Sequence, residues 1–231
     1  LCVCLPLHLM LRGSAPRHQH AAHTPGMRAD FTLKQALRHP AFWTLAFAFS
    51  ANSFIFSALS VHLIPILQRF GHSIGTVVFM AALIGPMQVA GRIGEMTIAR
   101  NLLPQTVGKV TFALLPAALL ALLFYGTEQW AMALFCTLYG LSNGILTIVR
   151  GTVPQVLFGT KNYGAISGAM AGPSMLSKAA GPLAVASIIQ YHPSPVLLFG
   201  TLFAFAVASL LCYLMAVRGT PNLASDVPRP T

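Results

Sequence analysis

Apolar runs long enough to cross a bilayer dominate the sequence and constrain its fold more than any other feature. A helix needs about 20 predominantly apolar residues to span the hydrocarbon core. The chain of 231 residues is 55% hydrophobic and only 8% charged, whereas a soluble domain carries about 25% charged residues. We therefore expect an all-α integral membrane protein. Six segments have the length of a transmembrane helix, at about 42–68, 74–96, 106–126, 130–158, 163–190 and 194–217.

The six segments form one predicted bundle over residues 41–218, and the rest of the chain divides into shorter parts. Residues 1–11 are apolar but too short to span, so we interpret them as the end of a truncated transmembrane helix; a short interfacial segment is the alternative. Residues 12–40 are a polar, basic linker. The spacing of its last apolar residues predicts a short interfacial amphipathic helix that ends at His39, before Pro40. Residues 219–231 form a tail.

The distribution of Lys and Arg predicts the orientation of the bundle. Cytoplasmic loops of membrane proteins carry an excess of these residues. If both termini are cytoplasmic, eleven of the 14 Lys and Arg residues lie on the inner side, one lies outside and two lie within helices. We therefore expect both termini in the cytoplasm. The inner residues are Arg12, Arg17, Arg28, Lys34, Arg38, Arg92, Arg100, Lys109, Lys161, Arg218 and Arg229.

Several function classes find no support in the sequence. The net charge of +10 does not indicate nucleic-acid binding, because the basic residues are scattered between hydrophobic runs. The run Gly140–Gly144 reads GLSNG, but this hydrolase pattern needs a strand–turn–helix context and lies here within a predicted helix. The histidine-rich tract HQHAAH, residues 18–23, has no Cys or carboxylate beside it and is interpreted as flexible linker. We expect no enzyme activity, no metal and no cofactor.

Small and hydroxyl residues recur at helical spacing. Gly140 and Gly144 form a pair, and Gly164, Gly168 and Gly172 form a row, both of which favour close helix packing. A row of serines in the first full segment lies on one helical face. It fits either tight packing or one wall of a water-filled cavity, and the sequence leaves both open. These serines are Ser50, Ser53, Ser57 and Ser60.

Two cations lie inside predicted helices. Arg150 shares a polar stripe with Asn143, and it either faces the bundle interior or reaches the inner surface. Lys178 follows Tyr163 by fifteen residues, about 22 Å along a helix, which is past the middle of a core about 30 Å thick. No Asp or Glu occurs at that depth in the sequence. Its partner is therefore predicted to be an anionic substrate or a carboxylate from elsewhere.

Three further polar residues are candidates for the same cavity wall. Gln88 and Asn143 offer side-chain amides within predicted helices. His62 lies near the outer end of its segment and is a candidate for proton coupling, because histidine titrates near neutral pH. A polar residue at a helix interface is the alternative for His62.

Three runs carry a resemblance to a known family: SVHLIPILQRFG, LIGPMQVAGRIGEMTIAR and GLSNGILTIVRGTVPQVLFGTKNYGAISGAMAGPSMLSKAAGP. With them, the chain resembles the carboxyl-terminal half of a major facilitator superfamily transporter. The resemblance implies one six-helix half bundle, a missing N-terminal six-helix half as partner, and a substrate site near the midplane between the halves. It also implies an inner-loop gating motif at Gly91, Arg92, Glu95 and Arg100, although the family's usual Asp–Arg pair is missing.

The resemblance implies a function as well. It predicts secondary active transport of a small solute by alternating access, in the bacterial cytoplasmic (inner) membrane. The loose similarity to oxalate/formate-type and monocarboxylate-type members favours an organic anion. The alternative is a non-transporting truncated or six-helix membrane protein that acts by association with another membrane subunit.

The predicted orientation can be tested with reporter fusions. Fusions at Thr127 and His192 should report an external position, and a fusion at Lys161 an internal one, because the basic residues flank the inner loops. A topology reporter of the alkaline phosphatase and fluorescent protein type measures this directly. An external signal at Lys161 would contradict the orientation.

Overall fold

The structure, a computed structural model, describes residues 30–191 and 194–218 and is helical over most of these ranges. No strand occurs in the described part of the chain, which confirms the all-α prediction. The predicted helix end at 1–11, most of the linker and the tail at 219–231 lie outside the described residues. The helices are α1 Leu33–Arg38, α2 Pro40–Gln68, α3 Ile74–Ala82, α4 Ile84–Thr97, α5 Pro104–Tyr125, α6 Gln129–Phe158, α7 Tyr163–Tyr191 and α8 Pro195–Val217.

The short helix predicted before Pro40 is present as α1. Thr32 caps its N-terminus by accepting a hydrogen bond from the backbone N–H of Gln35, whose side chain in turn accepts from the Thr32 N–H. The helix ends where His39 adopts an extended conformation, because the residue before a proline is disfavoured in helical geometry. His39 then caps α2 by accepting from the Ala41 N–H through Nδ1.

Five segments have the length and hydropathy of a membrane span. They are Pro40–Gln68, Ile74–Thr97, Pro104–Tyr125, Gln129–Phe158 and Val196–Val217. The remaining predicted segment, α7, has 29 residues and is long enough, but it does not meet the same criterion among the described residues. Its glycines, serines and Lys178 lower its mean hydropathy. The structure therefore contains the six predicted helical segments, of which five have the composition of a span.

One predicted helix is interrupted. The sequence predicted a continuous segment over about 74–96, but the structure divides it at Leu83 into α3 and α4. Pro86 explains the break, since it has no N–H to donate to the carbonyl of Ala82 and its ring crowds that carbonyl. The other prolines within the described helices do not end them: Pro65, Pro116, Pro154, Pro173 and Pro182.

The helices pack around one continuous hydrophobic core. α2 packs chiefly against α7 and α8, while α6 packs between α4 and α5, and α5 also contacts α8. Fully buried Tyr213 of α8 stacks on Phe112 of α5, with ring centroids 4.4 Å apart. Asn52 of α2 donates to Ser209 Oγ of α8 at 2.7 Å. These contacts join α2 and α5 through α8.

Glycines bring the backbones of α4 and α6 together, as predicted for Gly140 and Gly144. A Cβ at Gly140 would lie 2.7 Å from the Ile84 carbonyl oxygen, and one at Gly144 would clash with the Gln88 carbonyl. Gly91 of α4 makes the reciprocal contact, since its Cβ would lie 2.8 Å from the Leu141 carbonyl oxygen. Only hydrogen atoms fit at these positions.

The packing predicted for the second glycine row is wrong for the described residues. A Cβ at Gly164, Gly168 or Gly172 would meet no atom within 4 Å. The row lies on a face of α7 that is turned away from α2, whereas Gly181, on the opposite side, has the Phe54 carbonyl oxygen 2.6 Å from where a Cβ would lie. The close approach of α7 to α2 thus occurs at Gly181.

This difference predicts that the same substitution destabilises the protein at one glycine and has no effect at another. Gly144→Ala should lower the stability of the protein by about 1–3 kcal/mol, because the added methyl overpacks the α4–α6 contact. Gly168→Ala should have no such effect and serves as the matched control. Thermal unfolding of the full-length protein in detergent measures both, and equal melting temperatures for the two variants would contradict the packing described here.

Candidate functional site

One face of α2 meets both α6 and α7 through serine hydroxyls. Ser57 donates to the backbone carbonyl of Lys178 in α7 at 2.7 Å, and Ser50 Oγ lies 3.4 Å from Ser174 Oγ. Ser53 instead donates to a carbonyl of its own helix, at 2.8 Å. The sequence left open whether this face serves helix packing or forms a cavity wall. It does both, because Ser50 and Ser57 contact α7 and Ser53 lines a cavity.

Arg150 of α6 points toward this face. Its Nη2 donates to Ser53 Oγ at 2.6 Å and to the Phe49 carbonyl at 3.2 Å. Its Cζ lies 5.7 Å from the centroid of the Phe49 ring, within the range of a cation–π contact. The Nε atom is buried without a hydrogen-bond partner in the described structure. The guanidinium is thus held inside the bundle but is not fully satisfied there.

Arg150 and Lys178 line two cavities together. The first has a volume of about 90 Å³ and lies between α2, α6 and α7, with Ser174 and Pro154 in its wall. The second, of about 110 Å³, has both cations and Asn143 in its wall. Neither cavity has a carboxylate in its wall. Among the described residues, Glu95 lies near the end of α4 and Glu128 lies in the loop before α6.

A third cavity continues from the second. It has a volume of about 260 Å³ and shares Asn143 and Phe56 with the second cavity. Gln88 of α4 and Ser60 of α2 also line it. The structure therefore brings four of the predicted site residues, Lys178, Arg150, Asn143 and Gln88, to cavities that share lining residues, although they come from three helices.

A comparison with known protein families identifies the family of the chain that contains these cavities. The sequence model of the Major Facilitator Superfamily matches residues 1–182, most of the chain. The chain belongs to the major facilitator superfamily. It is accordingly an integral membrane protein from a superfamily of transporters, whose members generally do not catalyse chemical reactions. No curated protein sequence matches the chain.

In this superfamily member, His62 makes a contact between helices. Its Nε2 lies 3.1 Å from the carbonyl oxygen of Pro182 in α7. Because a carbonyl oxygen only accepts, Nε2 carries the proton in this arrangement. His62 is not in the wall of the three cavities described above. The contact fits the alternative interpretation, a polar residue at a helix interface.

The residues of the implied gating motif lie in the C-terminal half of α4 and just beyond it. Gly91 is buried against α6, which gives it a packing role. Arg92 is exposed, Glu95 is partly buried, and neither forms a salt bridge among the described residues. Arg100 belongs to a short 3₁₀ helix, Ala99–Asn101. The structure gives a physical reason for Gly91, and the gating role of the other three positions stays a prediction.

The sequence predictions missed the groups that contact the Arg150 guanidinium and the Lys178 backbone. Phe49 and Ser53 contact Arg150 from positions 101 and 97 residues away in the chain, and Ser57 contacts Lys178 across 121 residues. The three- and four-residue spacing of the serines was visible in the sequence and gave the correct face of α2. It could not give the helix that this face contacts.

The arrangement predicts that Arg150 is not required for stability. A cation inside a membrane bundle costs about 2.5–3.5 kcal/mol on insertion scales, and Nε has no partner in the described structure. Arg150→Met should therefore leave the melting temperature of the full-length transporter unchanged or raise it. Thermal unfolding in detergent is the measurement. A marked decrease would show instead that Arg150 is a structural brace between α6 and α2.

Proposed function

We propose that the protein is a secondary active transporter of a small organic anion, working by alternating access, and that this chain is its C-terminal half. The observation that carries the proposal is the presence of two cations, Arg150 and Lys178, in the walls of the same two cavities. Among the described residues neither of them forms a salt bridge with a carboxylate. An anion entering these cavities would supply the missing negative charge.

The electrostatics of the cavities favour an anion over a neutral solute. The two cations repel each other, and Arg150 is partly buried; the repulsion and the cost of burying the guanidinium both fall when an anion binds between the cations. Arg offers paired N–H donors that suit a carboxylate, while Lys offers a compact positive charge.

The exposed face of α7 supports a partner for this half. Lys178 is exposed, and the row Gly164, Gly168 and Gly172 is open in the described structure. We propose that this face meets an N-terminal six-helix half across the substrate pathway, within the lipid bilayer of the bacterial inner membrane and with both termini cytoplasmic. In that arrangement the polar wall of α7 would face the pathway rather than lipid, where unsatisfied polar groups are costly.

Uptake by proteoliposomes tests the substrate class. The full-length protein should accumulate radiolabelled acetate, lactate, oxalate or succinate, and should not accumulate glycerol, which has a similar size but no charge. Uptake of glycerol without uptake of any of the four carboxylates would contradict the proposed anion.

A charge substitution tests the role of Lys178. Lys178→Met keeps the apolar stem and removes the charge, so carboxylate uptake should fall to background while membrane abundance is unchanged. Lys178→Arg should restore uptake only partly, because a planar guanidinium does not replace a compact ammonium. Lys109→Met is the control, since Lys109 is an exposed residue of α5.

The same variant distinguishes the other predicted partner of Lys178. If Lys178 pairs with a carboxylate of the N-terminal half, Lys178→Met should also reduce abundance, because it leaves a buried acid without its partner. Neutralising that acid should then restore abundance. Full carboxylate uptake by Lys178→Met at normal abundance would show that Lys178 has neither role.

A further inference from the structure

Each of the two cations lies one helical turn before a proline. Pro154 follows Arg150 by four residues in α6, and Pro182 follows Lys178 by four residues in α7. In a helix the carbonyl of residue i accepts from the N–H of residue i+4, and proline has no N–H. The backbone carbonyls of both cationic residues have therefore lost their normal helical donor.

At Lys178 the missing donor is replaced by α2. The Ser57 hydroxyl donates to the Lys178 carbonyl oxygen at 2.7 Å. Farther along α2, His62 Nε2 donates to the carbonyl oxygen of Pro182 at 3.1 Å. In α7, Gly181 lies between the Lys178 and Pro182 carbonyls, and its lack of a side chain lets the α7 backbone approach the Phe54 carbonyl of α2. Two side chains of α2 thus hold the segment of α7 in which the proline interrupts the hydrogen bonding.

At Arg150 the contact from α2 is made to the side chain. Ser53 lies one turn before Ser57 on the same face of α2, and its Oγ accepts from Arg150 Nη2 at 2.6 Å. Ser53 Oγ in turn donates to the Phe49 carbonyl at 2.8 Å, so its lone pairs are oriented toward the guanidinium. Two serines one turn apart on α2 therefore contact the Arg150 guanidinium and the backbone of Lys178.

We infer that Ser53 and Ser57 are positioning residues: Ser53 holds the Arg150 guanidinium, and Ser57 holds the backbone from which the Lys178 side chain extends into the wall of the shared cavities. The inference rests on the proposed anion transport, because only a ligand that contacts both cations depends on their relative position. A preorganised pair binds an anion more tightly than a mobile pair, since less conformational entropy is lost on binding. Neither serine needs to touch the anion for this effect.

Hydrogen exchange tests the contact at Ser57 without any substrate. In the full-length protein, Ser57→Ala leaves the Lys178 carbonyl without a donor, so the amides of α7 around residues 178–186 should exchange about tenfold faster, equivalent to about 1.4 kcal/mol. Ser57→Thr retains the hydroxyl and should exchange like the wild type. Ser187→Ala is the matched control, because the Ser187 hydroxyl bonds only to the Leu183 carbonyl of its own helix.

A double-mutant cycle tests whether Ser57 replaces the donor that Pro182 lacks. Pro182→Ala restores a backbone N–H that can donate to the Lys178 carbonyl. In that background Ser57→Ala should raise exchange by less than about threefold, so the two substitutions should be coupled. Additive effects would show that Ser57 does not supply the hydrogen-bond donor that Pro182 lacks. They would thereby overturn the positioning of Lys178 by Ser57.

Transport kinetics test the consequence for the anion. With the carboxylate that the wild type transports, Ser53→Ala and Ser57→Ala should each raise KM about five- to tenfold with little change in the maximal rate. Ser57→Thr should return KM to within about twofold of the wild type, and Ser187→Ala should not change it. Unchanged KM values in both alanine variants would overturn the positioning role and leave the proposed function intact. Absence of carboxylate uptake by the wild type would overturn the proposed function, and the positioning role with it.

Discussion

The placement of the partly buried Arg150 beside the exposed Lys178 is the constraint on which the candidate site depends. A guanidinium or an ammonium in a membrane interior must find polar partners or water, and the described residues provide no carboxylate for Arg150 or Lys178. The available partners are the Ser53 hydroxyl, the Phe49 carbonyl and the Phe49 ring for Arg150. Lys178 opens on the cavities. The hydroxyl face of α2 provides such a partner for Arg150, and the cavities lie beside both cations.

The wall of the site depends on close backbone packing elsewhere. Gly144 places the α6 backbone against the carbonyl of Gln88 in α4, and Asn143, the residue before it, lines the same cavity as Gln88. A larger residue at Gly144 would push α4 away and widen the distance between these two amides. Glycine packing between α4 and α6 and hydrogen bonding between α2, α6 and α7 thus build two parts of one polar surface.

The sequence was sufficient for the helices and gave four residues that line the cavities, but not the contacts of those residues. The length of the apolar runs located the six helical segments because the bilayer sets a minimum span. The break at Leu83 was missed, although Pro86 was present to suggest it. Which face of α7 packs on α2 was also missed. A regular glycine row at 164, 168 and 172 and the single Gly181 are equally compatible with packing, and only the helix arrangement distinguishes them.

The most direct test of the account is a crystal structure of the full-length protein with its transported carboxylate bound. We predict density for the anion between Arg150 and Lys178, in the cavities that they share, with the guanidinium still bonded to Ser53. Density for a carboxylate side chain of the protein at that place, with the substrate bound elsewhere, would contradict the account.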